Sequence, residues 1–467
     1  MAVAKDWLSN LKVRLSYGTS GSDNINSNLW RETWSSLSSS SNHTPINGEL
    51  GSFYRPDGLL ANSDLKWETT ISRNLGLDFG FLNNRINGSL EIYWNTTKDL
   101  LMAVPVDNTT GYSYQFQNFG KTSNRGIELS LNFDVINKGD FRFNIGAIYN
   151  YNRNKLDELP NADQYLYSSY WGSSSLVPTN DYMFVEGKAI GLVRGFVSEG
   201  FYTVNDFRYE NGQYILKEGI PDITKALTAT YMHPFNIPNG QTAFPGAAKF
   251  RDVNNSGTVD LDDATCLGEV MPRHTGSFQL NFNYKNFDLS SNFNWTAGGK
   301  VYNVAAMINA SGQEFDGIGA QRTSWVADTY KVYNVNSSGD LYAVTDPNEL
   351  NALNANAKYH LPYHQSGITS SEWLEDGSYL RLQTLTLGYT LPHTVLNKIH
   401  IEKLRIYLTA TNLFTITGYS GIDPEVNATP TGQSGFYSNL RVFPTLNMDF
   451  GTYPRARTFT LGANITF

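Results

Sequence analysis

The stretch DVNNSGTVDLDD at 252–263 carries the sharpest chemical pattern in the chain. Asp252, Asn254, Ser256, Gly257, Thr258, Asp260 and Asp263 fall on the first, third, fifth, sixth, seventh, ninth and twelfth positions of an EF-hand-type loop. Spacing by two turns successive oxygens toward one centre, the glycine permits the sharp bend, and Thr258 contributes its carbonyl. A hard cation such as Ca2+ takes about six to eight oxygens, most of which this loop can supply. Serine at the fifth position and the short aspartate at the twelfth weaken the match, and no helices are expected on either side. The ion's role would be structural, stiffening a loop. The same residues also suit a turn closed by its own Asn, Asp and Ser side chains.

Other residues hold less chemistry. YHLPYH sets His360 and His364 at a helix-face ligand spacing, but Pro362 breaks that helix and no Glu adjoins, so two exposed loop histidines are expected. Asp316 and Glu375 are scattered, and GxSxG, HExxH and Walker patterns are absent, so no enzyme is expected. Aromatic residues collect between the regular segments, among them Trp30, Tyr165 and Tyr167. Trp34, Tyr170, Trp171, Tyr359 and Tyr363 are the candidate substrate contacts, because rings stack on sugar faces while nearby Asn and Ser bond hydroxyls. Packing against a partner, or ordering of the loops themselves, would use the same rings.

The elements that must position these residues alternate apolar and polar with period two, the strand signature. Phe459, Leu461, Ala463, Ile465 and Phe467 oppose Thr458, Thr460, Asn464 and Thr466 at the end of the chain. Ile71, Leu75, Leu77, Phe79 and Phe81 make a similar face, and 276–297 reads as a hairpin turning at Lys285-Asn286. Leu382 and Leu385 break parity, which a bulge would repair. Short links (82–85, 136–140, 285–286) alternate with long Asn/Ser/Gly/Tyr-rich ones (19–66, 98–124, 153–274, 298–377, 415–456), and 392–402 reads as a short helical turn. Within 153–274, IGLVRGFVSEGFYT (190–203) reads as a hairpin that adds no strand to the main sheet. Short turns at one end and long loops at the other mark an all-β transmembrane antiparallel barrel with extracellular loops. Strand aromatics such as Trp94, Tyr284, Trp295 and Phe467 then suit the girdles at the membrane surfaces.

Composition agrees. Gly 40, Tyr 28 and Phe 26 stand beside 17% charged residues in 467. Mean hydropathy of -0.36 is too polar for a helical membrane protein, but a barrel with a polar lumen averages like a soluble one. A net charge of -8 gives no footprint for nucleic acid. The single Cys266 excludes an intrachain disulfide and a cysteine-based zinc site. MAVAKDWLSN lacks the pattern of a signal peptide, so a piece of something larger is expected, or else a cytosolic protein. Strand parity gives about ten strands with the last running inward, an arc whose first strand needs a partner because lipid tolerates no open sheet edge.

KDWLSNLKVRLSYGTSGSDNI, LKWETTISRNLGLDFGFL, NFGKTSNRGIELSLNF, AAKFRDVNNSGTVDLDDATCLGEVMPRHTGSFQLNFNYKNFDLS, SYLRLQTLTLGYTLP and LRIYLTATNLFTITGYSGIDPE resemble the C-terminal portion of the SusC/RagA family of TonB-dependent outer-membrane importers of Bacteroidetes. The resemblance runs through nearly all of 1–467 in order. It implies the last ten strands of a barrel of about 22, a size whose lumen is plugged. It also implies a SusD-like surface lipoprotein as a lid, energy from the TonB complex, and an oligosaccharide or peptide as substrate. The family's plug and TonB box have no counterpart in these residues, so the arc alone is expected not to transport. The competing expectation is a soluble extracellular carbohydrate-binding β-sandwich with a calcium-stiffened loop.

Overall fold

The computed structural model describes residues 7–23, 29–32, 34–37, 45–46, 49–50, 53–56, 59–112, 114–159, 164–168, 177–228, 233–311, 327–361, 367–396, 401–426 and 446–467. Ten strands form one antiparallel sheet in chain order. They are β1 (Leu8–Ser22), β2 (Glu68–Phe81), β3 (Ile86–Lys98), β4 (Lys121–Lys138) and β5 (Phe141–Glu158). β6 (His274–Tyr284), β7 (Phe287–Ala297), β8 (Tyr379–Thr390), β9 (Lys403–Thr417) and β10 (Thr458–Thr466) complete it. Because consecutive strands pair antiparallel, the short links 82–85, 139–140, 285–286 and 391–402 lie at one end of the sheet. All five long connections lie at the other. No ladder joins β1 to β10 among the described residues.

The register sorts side chains by face. Leu461, Leu408, Leu387, Leu289, Phe282 and Phe143 form one cross-strand row. Displaced by one residue, Thr460, Thr409, Thr386, Ser290, Asn281, Asn144 and Asp134 form the row on the opposite face. Phe143 stacks on Phe282 at 4.2 Å and Phe278 on Phe293 at 4.5 Å, pairs that add to ladder stability. The polar face carries charges in register: Arg14 reaches Asp78 at 2.8 Å and Glu91 at 2.7 Å, and Arg405 Nε donates to Asp288 at 2.9 Å. Tyr407 lies over Gly462, its cross-strand partner, where any Cβ would collide with the ring.

A bulge does repair the parity in β8. Asn292 faces Thr384 while Phe293 faces Leu382, so Gln383 is the extra residue. It keeps Leu380 and Leu382 on the apolar face and Arg381 on the polar one. The apolar face is uncovered: Leu461 is 76% exposed, Leu387 49% and Leu408 47%. A continuous apolar surface of this extent is not compatible with water, and it defines lipid as the solvent of that face. Each strand has at least the roughly nine residues a tilted transmembrane strand requires.

The long connections are not loose. The bulkiest fully buried side chains, Tyr182, Phe196, Tyr202, Tyr214, Phe250 and Tyr302, belong to them. Two cores result, one around Phe196, Tyr202, Tyr214 and Phe250, the other around Tyr182, Val193, Tyr302 and Trp373. The hairpin expected at 190–203 does not form. Leu192–Gly195 instead lies between Tyr182–Val185 and Thr265–Glu269, and Ser198–Phe201 pairs with Ala248–Phe250. Burial of Phe196 at the hinge between those two pairings outweighs the local turn preference. β4 and β5 also run further than alternation indicates, shrinking their link to 139–140.

Candidate functional site

The cap over the long-connection end holds the candidate site residues that the structure describes. Its Asp-rich turn is clamped on both sides. Ala248–Phe250 leads in, Thr258–Val259 pairs in parallel with Asp222–Ile223, and a single helical turn, Leu261–Asp263, leads out. Inside, Asp252 accepts from the Ser256 and Gly257 N–H groups at 3.1 and 2.7 Å, and Asn254 Oδ1 from Ser256 at 2.8 Å. Asp263, fully buried, accepts from Val253 and Asn254 through one oxygen and from Asp260 N–H through the other. Ser256 Oγ donates to the Thr258 carbonyl at 2.8 Å. Asn255 and Gly257 take positive φ of 57° and 86°, which the bend requires. The loop is therefore held by its own side chains. Among the described residues no group of three or more His, Cys, Asp or Glu is placed to hold a metal.

The candidate aromatics divide. Trp34 sits 56% exposed on Trp34–Leu37, paired with Phe53–Pro56. Tyr359 is half-buried, and its backbone bonds to Asp328 and Tyr330. Tyr170, Trp171 and Tyr363 lie outside the described residues, as do His364 and Asp316. His360 corrects the expectation of an exposed residue: it is buried, its Nδ1 2.6 Å from the Leu361 carbonyl and its Nε2 3.6 Å from Glu372. Glu375 ties two connections together, accepting from Asn303 Nδ2 and from Ser420 at 2.7–2.8 Å.

A charged knot at the mouth has no counterpart among the sequence candidates. Arg381, 3% exposed, reaches from the polar face of β8 to Asp423 at 2.5 Å and Glu425 at 2.9 Å, and donates from Nε to Thr415 Oγ1 at 3.0 Å. Arg455 closes the knot on Glu425 at 2.7 Å. Its members are far apart in sequence. The one available signal was the GIDPE segment, which contains Asp423 and Glu425.

His233 gives the cap a pH signature. Its ring stacks on Phe244 at 4.0 Å, and burial holds its pKa below the ordinary histidine value. The neutral form is thus favoured by folding. Cap stability is expected to be full above about pH 6.5 and to fall as pH drops through the folded-state value. Urea unfolding followed across that range should lose this slope in His233→Gln; an unchanged slope would assign it to another group.

A sheet with one lipid-facing side, one polar side and a packed cap at a single end has the architecture of part of an outer-membrane β-barrel. The chain belongs to the family described as "TonB dependent receptor-like, beta-barrel", whose model matches residues 4–413. It is similar to TonB-dependent receptor P3 of Formosa agariphila, 29% identical over 98% of this chain and 39% of that protein. It is also similar to TonB-dependent receptor SusC of Bacteroides thetaiotaomicron, 27% identical over 98% of this chain and 38% of the other. In fold it matches a structure of the RagAB peptide transporter, with a TM-score of 0.67 and 21% identity over 99% of this chain and 41% of that one. The chain thus spans about two fifths of the length of the curated relatives it matches. The family places it in the outer membrane, and the soluble β-sandwich expectation is withdrawn on that finding.

Proposed function

We propose that this chain is the C-terminal arc of a TonB-dependent importer for oligosaccharides, or alternatively peptides, with its long connections on the extracellular side. The observation that carries the reading is the packed cap built from those connections at one end of a lipid-facing sheet. A SusD-like lipoprotein would close over the cap, and a plug and a TonB-contacting segment would belong to the same importer. Open edges at β1 and β10 favour a larger closed barrel, since unpaired strand edges are costly in lipid. Peptide transport is what the name of the RagAB structure states, and it keeps the second substrate class in view.

Inactivating the importer in its own cells should stop uptake of an oligosaccharide too large for porins and spare uptake of its monosaccharide. Collapsing the proton gradient should likewise stop entry of the oligosaccharide into the periplasm. Equal uptake of both sugars in the mutant, with peptide uptake unchanged as well, would remove the reading.

Within the cap, we propose that Ca2+, when bound, draws Asp252, Asn254, Ser256, Thr258, Asp260 and Asp263 together out of the self-closed arrangement of the turn and has a structural role. Calcium is expected to raise the cap's unfolding temperature, and Asp252→Ala to abolish the rise. A calcium response unaltered by Asp252→Ala would leave only the self-closed turn.

A further inference from the structure

We propose that the notch beside the Arg381 knot binds an acidic sugar residue, one bearing a carboxylate or a sulfate ester; this rests on the importer reading above. The β9–β10 ladder ends at Thr411–Thr458. There Asn412 takes a positive φ of 51°, and its Nδ2 donates to the Ala456 carbonyl at 3.1 Å. Beyond that pair β9 continues to Thr417, while 452–457 runs without strand pairing. The gap is a cavity of about 260 Å³. Sites for drug-sized ligands run from about 300 to 1,000 Å³, so this one suits a single ring rather than a chain.

Charge decides the ligand class. Arg381, Arg455 and Arg457 line the notch against Asp423 alone, with Glu425 behind it in the knot. Three arginines thus stand beside two carboxylates, leaving one positive charge in excess. Arg381 and Arg455 are committed to Asp423 and Glu425, while Arg457 has no ion-pair partner among the described residues. A free guanidinium offers parallel N–H donors that match a carboxylate or sulfate. Around it, Asn412, Thr415 and Thr417 supply amide and hydroxyl groups, and Pro424 supplies an apolar surface for a ring face. The knot neutralises the two carboxylates that would otherwise repel an anion. A neutral sugar would forgo the contact with Arg457, and a cation would meet the excess charge.

Binding to the intact importer in detergent tests this, with trigalacturonate, sulfated galactotriose, galactotriose and inorganic sulfate as probes. At least one acidic trisaccharide should bind about tenfold or more tighter than galactotriose. Arg457→Gln should remove about tenfold of that affinity and leave galactotriose unchanged, while Arg457→Lys keeps part of it. The two acidic probes separate carboxylate from sulfate ester. Equal binding of acidic and neutral sugars, or no effect of Arg457→Gln, would overturn the proposal. Inorganic sulfate binding as well as the sugars would also overturn it, as would an acidic peptide preferred with the same Arg457 dependence. Loss of oligosaccharide uptake is read separately in cells, so failure of this site leaves the importer reading standing.

Discussion

Leu408→Arg is expected to destabilise the inserted barrel by about 2–4 kcal/mol, the cost of a cation on the lipid face near the bilayer midplane. Leu408 is 47% exposed, so a soluble fold would tolerate the change almost freely. It lies between Leu387 and Leu461 in the apolar row, and in lipid no water replaces the lost methyl contacts. Thr409→Arg, one residue on, points to the polar face between Thr386 and Thr460 and should be nearly neutral. Urea unfolding of the importer reconstituted in liposomes measures both. Similar losses at the two positions would mean that the faces are assigned wrongly.

Removing Arg381 should have the second large effect. Arg381 is 3% exposed and Asp423 7%, so Arg381→Ala leaves a buried carboxylate with only the more distant Arg455, at 4.0 Å, as a cation. Breaking a buried pair in this way costs about 3–5 kcal/mol. Glu425 and Thr415 lose their donor as well. The combined Arg381→Ala and Asp423→Ala protein should lose less than the sum of the single changes, because the isolated charge is gone. Arg381→Lys restores the charge but not the three-way fork, and should recover only part of the loss. Protease resistance of the cap at rising temperature reports these differences; additive losses would show that the two residues act independently.

The sheet was legible because its strands are long and one-sided. Ile71 to Phe81 and Phe459 to Phe467 alternate over enough residues for period two to stand out, and Leu382 with Leu385 announced the bulge at Gln383. The cap was not legible. Its strands are short, Thr258–Val259 and Thr265–Glu269 among them, and pair with segments far along the chain, Asp222–Ile223 and Leu192–Gly195. Local alternation thus suggested a hairpin at 190–203 where tertiary burial of Phe196 splits the segment between two sheets. His360 misled for a similar reason: the break at Pro362 and the lack of an adjoining Glu implied an exposed loop, and contact with Glu372 and Leu361 made it interior. The Asp-rich turn was visible as a pattern, whereas the Arg381 knot has no pattern and exists only once β8, 422–425 and 455 are brought together.

One face of this sheet meets lipid and the other an aqueous lumen. Nitroxide labels placed singly along β9, in a Cys266→Ser background and in native outer membranes, test it most directly. Oxygen concentrates in hydrocarbon and a nickel chelate in water, so their relaxation effects report the solvent at each site. Labels at Leu404, Ile406, Leu408 and Ala410 should be relaxed by oxygen, and labels at Arg405, Tyr407, Thr409 and Thr411 by the nickel chelate. A uniform response along the strand, or alternation in the opposite phase, would contradict the account.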